Sequence, residues 1–186
     1  MPALLVAHRQ LKVSQTGPIC WGLFLAQHYG LPTRLLDWSE NPLVAVYFAV
    51  SEHPDDDGCL WALWPGGINL EFRGATGLVT IRDPKVAEIA KAAFHEDSRP
   101  GEVILAIDGQ EIDPRMLAQM SRFTVHSYHT PLEIVPESDR WLRRFLIPKE
   151  HKQKIRHQLS AMGIRESNIF PDLAHLAAEL KRTRFG

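Results

Sequence analysis

QHYGLPTRLLDWSENPLVAVYFAV, residues 27–50, sets a dense group of polar and aromatic side chains between two apolar runs. Asn41 is placed to cap a helix, and Pro42 stands at its first position, where a missing N–H costs nothing. The pattern predicts an apolar helix over Pro42–His53. Upstream, Ile19, Leu23 and Ala26 recur at helical spacing, with Trp21, Phe24 and Leu25 on an adjoining face and Pro18 and Gly30 as start and stop signals. A mostly buried helix is expected from Ile19 to Tyr29. Between the two helices, Pro32 disfavours helix at Leu31 and fixes its own φ, so Leu31–Trp38 reads as a short ordered loop.

Working outward, Pro54–Gly58 is an acidic turn and Cys59–Trp64 a strand ended by a turn at Pro65, Gly66 and Gly67. Residues Asn69–Arg82 are weakly patterned and read as loop with short strands. Helices are expected over Pro84–Phe94, Pro114–Met120, Lys149–Met162 and Pro171–Arg182, and strands over Glu102–Ile107, Phe123–His126 and Arg144–Ile147. Helices and strands that do not strictly alternate predict an α+β domain. At 186 residues the chain suits a single domain, since domains commonly hold roughly 100–200 residues.

Hydrophobic residues at 45% and charged residues at 23% give the balance of an ordinary globular protein rather than a disordered one. A formal net charge of −1 gives no global field for nucleic acid or anionic membrane. No apolar run approaches the roughly 20 residues that span a bilayer, and no secretory leader is evident, so no membrane partner is expected and a cytoplasmic location is. Cys20 and Cys59 lack metal or redox spacing and read as buried thiols. His126 and His129 are too sparse a set for a metal, no phosphate-cradling loop is present, and no GxSxG marks a hydrolase. The basic residues Arg140, Arg143, Arg144, Lys149, Lys152, Lys154 and Arg156 read as a solvated face, since helical spacing spreads their charges, with nucleic-acid binding as the lesser alternative.

On residue types alone, two readings of the cluster from Gln27 to Ser39 stay open. It is a functional site, or a self-satisfied network in which Arg34 pairs with Asp37, Ser39 caps and His28 is hydrogen-bonded in the core. A resemblance bears on the choice. Gln27–Gly30, Leu31–Asp37, Trp38 with Ser39, and Ala45, Phe48 and Ala49 resemble the FRG-family pattern QHYGxPTRLLDW[ST] followed by AxxFA. Arg115, Gln119 and Phe123 are similar to that family's RxxxQxxxF stretch, with Ser121 where it usually has glycine. Gly163, Ile164, Phe170, Pro171 and Asp172 are similar to its closing GI…FPD segment.

The resemblance implies an ADP-ribosyltransferase-like fold, a mixed sheet with flanking helices, and NAD as co-substrate. It further implies a protein or nucleic-acid target and a place among toxins or phage-defence effectors, with a catalytically inactive binding module as the alternative. It points to His28, Asp37 and Gln119 as catalytic residues, Gln119 standing where such enzymes commonly carry glutamate. Tyr29, Thr33, Arg34, Trp38 and Ser39 would bind the cofactor: Tyr29 or Trp38 stacks on nicotinamide, and His28 or Thr33 holds a ribose or phosphate. Glu111 is a further candidate for negative charge. The family's Phe-Arg-Gly motif is not found before the histidine segment, so the expectation is a single FRG domain over residues 1–186, truncated at its N-terminus.

Overall fold

The computed structural model describes residues 18–28, 31–92, 101–109, 114–128, 130–171 and 181. All but Pro171 and Lys181 of the helix expected over Pro171–Arg182, and the candidates Tyr29 and Glu111, lie outside that set, as do the side chains of Cys20 and His28. The described chain is a mixed α/β assembly of two sheets with flanking helices.

Helix α1 (Pro18–His28) leads into strand β1 (Leu35–Ser39), then helix α2 (Pro42–Ser51) and strand β2 (Gly58–Leu63). Helix α3 (Pro65–Arg73), the short strand β3 (Val79–Thr80) and helix α4 (Pro84–Ala92) follow, then β4 (Ile104–Asp108), α5 (Pro114–Gln119) and β5 (Ser121–His126). Two 3-10 turns precede β6 (Leu142–Ile147), α6 (Lys149–Ala161) and α7 (Glu166–Ile169).

Four strands form a mixed sheet in the order β1-β5-β4-β3, with only the β3–β4 pair parallel, while β2 and β6 form an antiparallel ribbon. Strand β4 is buried on both faces, and its period-2 geometry divides the core. Leu105 and Ile107 join Leu23 and Phe24 of α1 and Val86 and Ile89 of α4 on one side. Ile104 and Ala106 join Ile68 of α3, Trp141 and Leu142 on the other. Phe24 meets Phe123 of β5 edge to face at 4.8 Å, which fixes α1 against the sheet.

Four expectations are corrected. Leu31–Trp38 is not all loop: Leu35–Ser39 is a strand, because the register Leu35↔Val125 to Ser39↔Ser121 pairs it with β5. Pro65, Gly66 and Gly67 do not form a turn but open α3, which also takes Asn69–Arg73 from the head of the stretch expected as loop with short strands, while the short strand β3 falls within the remainder. A Cβ on Gly67 would lie 2.6 Å from the Trp64 ring and 2.7 Å from Trp141 Cβ, so glycine is what lets α3 begin against those indoles. Asn69, fully buried on α3, then grips β4, accepting from Ala106 N at 2.7 Å and donating to Ala106 O at 2.9 Å. Cys59, expected to be buried, is exposed on β2.

Candidate functional site

Among the described residues, strand β1 pairs on one side only, with β5. Against β1 lies an open cavity of about 550 Å³, floored by Asp37, Trp38 and Ser39 and walled by Phe48 of α2, Cys59 and Trp61 of β2, and Arg115 and Gln119 of α5. The two apolar helices legible in the sequence position this strand: α1 ends at the polar cluster, and α2 begins just after it. Asn41 caps α2 as expected, its Oδ1 accepting from Leu43 N at 3.0 Å.

A relay of hydrogen bonds orients Asp37. Leu35 N donates to Thr33 Oγ1 at 3.1 Å, the Thr33 hydroxyl donates to Gln27 Oε1, and Gln27 Nε2 donates to Asp37 Oδ2 at 2.7 Å. With its oxygen held by Thr33, the Gln27 amide can present only its NH₂ to the carboxylate. The residue as a whole is exposed, yet burial around the carboxyl pushes its pKa above the ordinary 3.8. The Gln27 hydrogen bond and the charge of Arg115 act in the opposite direction without cancelling that rise. Asp37 is the one carboxylate among the described residues that line this cavity.

Ser39 joins two segments that the sequence separates by eighty residues. Its Oγ donates to Gln119 O at 2.6 Å and accepts from Asn41 N at 3.1 Å, so it caps, as one sequence reading has it, and also ties β1 to the end of α5. The i, i+4 spacing of Arg115 and Gln119 puts both on one face of α5, and both reach the closing segment. Gln119 Nε2 donates to Ile169 O at 3.3 Å, and the Arg115 guanidinium stacks 4.7 Å from the Phe170 ring centroid. Phe170 in turn meets Phe48 edge to face at 5.9 Å. One motif thus anchors α5, α2 and the FPD segment to one another at the cavity wall.

Trp38 stands between this cavity and a second one. Its Nε1 donates to Thr124 Oγ1 at 3.1 Å, and that hydroxyl is 2.8 Å from His126 Nε2, a buried chain across β1 and β5. The second cavity, of about 260 Å³, lies at the start of β1 and is lined by Thr33, Arg34, His126, Tyr128 and Glu133, with Trp38 and Trp61 as walls common to both. Arg34 does not pair with Asp37. It is nine-tenths buried and donates through Nη1 to Ser127 O at 2.7 Å.

Of the residues singled out in the sequence, Asp37, Trp38, Ser39 and Gln119 converge on the larger cavity, whereas Thr33 and Arg34 line the smaller. Trp61 and Cys59 carried no sequence signal, because only the docking of the β2–β6 ribbon brings them to β1. Arg115 had one: its spacing from Gln119.

No curated protein and no solved structure matches the chain. A family model does: that of the FRG domain matches residues 5–58, a stretch that runs through α1, β1 and α2 to the first residue of β2, and so supports the FRG family for the segment that floors the larger cavity.

Proposed function

We propose that the larger cavity binds NAD and that this is an ADP-ribosyltransferase-like domain acting on a protein or nucleic-acid target. The observation that carries the reading is the convergence of Asp37, Trp38 and Ser39 with Arg115 and Gln119 on one cavity. Its volume of about 550 Å³ falls within the roughly 300–1,000 Å³ of pockets that take small molecules. Bound NAD would supply a ribose whose bond to nicotinamide breaks while positive charge grows on the sugar.

Each side chain has a task in that chemistry. Trp38 and Trp61 offer flat apolar faces on which a ring can stack. Asp37, aimed by Gln27, sets a carboxylate against developing positive charge, and Arg115 offers a cation to an anionic group. Ser39 spends its proton on the Gln119 carbonyl, so its role is to hold β1 and α5 in register. Among the described residues the Gln119 amide oxygen takes no hydrogen bond, which suits orienting a hydroxyl but supplies no negative charge.

The second reading, a binding module without catalysis, is favoured by one observation. The amide of Gln119, at the position where such enzymes commonly carry glutamate, is engaged with Ile169 O. Calorimetric titration with NAD, paired with an assay of nicotinamide release, separates the two. Binding with release that is lost in Asp37→Asn supports the enzyme. Binding without release supports a nucleotide-binding module, and no binding sinks the enzyme and leaves an interaction module alone.

A further inference from the structure

Arg34 presents an imbalance that the NAD cavity does not resolve. Its side chain is nine-tenths buried, yet among the described residues its only partner is a neutral carbonyl, Ser127 O at 2.7 Å. Glu133 lines the same cavity but forms no ion pair with it. A buried cation without a carboxylate or phosphate partner is costly, because desolvation removes hydration that one carbonyl cannot replace. The rest of the guanidinium fork is geometrically suited to an oxyanion, which it can hold through paired N–H groups. Around it stand the apolar and aromatic walls Leu36, Trp38, Trp61 and Leu142, with Tyr128 exposed at the rim.

We infer that the smaller cavity is a recognition site, separate from the larger one, for an oxyanion carried on a compact apolar body, with Arg34 as its anchor. The chemistry shared by its ligands is a carboxylate or phosphate group attached to a ring or short hydrocarbon. The volume of about 260 Å³ lies below that of pockets for drug-sized molecules, which excludes a dinucleotide and fits a single ring. The apolar walls disfavour a bare hydrated ion relative to one with a hydrophobic part. Trp38 and Trp61 border both cavities, so occupancy of one is felt at the wall of the other.

The test is titration of the full chain with benzoate, phenyl phosphate and inorganic phosphate at constant ionic strength, followed by calorimetry and by tryptophan fluorescence. Saturable binding of benzoate or phenyl phosphate is expected, and which of the two binds more tightly assigns the oxyanion. Arg34→Gln keeps an amide donor for Ser127 O and should weaken binding by roughly tenfold or more, the loss of a charge-assisted hydrogen bond. Thr130→Trp fills the cavity from its rim while leaving Arg34 in place, and should abolish binding without unfolding the chain.

Equal affinity in the Arg34→Gln and unaltered chains, or no binding by either ring-bearing probe, overturns the inference. Inorganic phosphate binding as tightly as phenyl phosphate overturns the apolar part. Competition with NAD overturns the separateness of the sites, whereas simultaneous binding supports it. A chain that takes the ring-bearing oxyanions but not NAD leaves this inference standing and removes the NAD reading alone.

Discussion

Lys152 should be one of the most stability-sensitive surface-helix positions in the protein. Only 4% of it is exposed, and its Nζ donates to Glu52 O at 2.6 Å, His53 O at 2.9 Å and Asp56 O at 3.2 Å. Those carbonyls form the end of α2 and the turn into β2, where orphan acceptors and the helix macrodipole both favour a cation. The clasp is reciprocal, since Asp57 Oδ1 in the same turn accepts from Lys149 N at the start of α6 at 2.9 Å. Hydrogen bonds to a charged group contribute about 1.5–3 kcal/mol each, while burying the ammonium costs several kcal/mol. Glu52, His53 and Asp56 are themselves exposed, so water can reach some of the abandoned carbonyls.

Lys152→Met, which keeps the length of the stem, should therefore cost roughly 2–4 kcal/mol after those offsets. For a chain of this size each kcal/mol moves Tm by about 2–4 °C, giving a fall of roughly 5–15 °C. Urea unfolding followed by tryptophan fluorescence measures it, with the slope m unchanged. Lys154→Met, exposed on the same helix, is the control and should stay within about 0.5 kcal/mol. A Lys152→Met chain as stable as that control would refute the clasp.

Asp37→Asn should raise Tm at neutral pH. Because the folded pKa lies above 3.8, the native state keeps a proton that the unfolded chain has released, so stability falls as pH rises through that window. The gain from Asp37→Asn should thus be full above the folded pKa and fade below about pH 3.8, which thermal melts across pH would show. Gly67→Ala should cost about 1–3 kcal/mol by overpacking against Trp64 and Trp141, read as a lower urea midpoint. Met120, at φ 47°, turns the chain from α5 into β5 in the left-handed region, next to Ser121, which stands where the FRG pattern has glycine. Met120→Gly should stabilise by about 0.5–1 kcal/mol in the same assay, because a side chain there is strained.

The helices were legible because each carries its own punctuation: Pro18 opening α1, the Asn41 cap with Pro42 opening α2, Pro114 opening α5, and Gly163 at φ 84° after α6. Strand β1 was not, since LLDWS lacks alternation and becomes a strand only through β5, more than eighty residues away. PGG at the head of α3 reads locally as a turn, and its helical state depends on two indoles that no local pattern announces. Lys152 fell among residues expected to form a solvated face, but α6 turns that position onto the α2–β2 turn. At the site, Asp37, Trp38, Ser39 and Gln119, which residue types and the FRG resemblance single out together, line one cavity. Residue types and the resemblance did not separate Thr33 and Arg34 from that group, because the division between the cavities is made by Trp38 and Trp61.

Cys59 offers the most direct test of the NAD reading, because it is exposed and lines the larger cavity. Its alkylation rate, followed by mass spectrometry of the peptide that contains it so that Cys20 does not contribute, should fall saturably as NAD is added. The same protection should weaken in Trp38→Ala. An alkylation rate that stays constant from zero to millimolar NAD would contradict the assignment of this cavity to NAD.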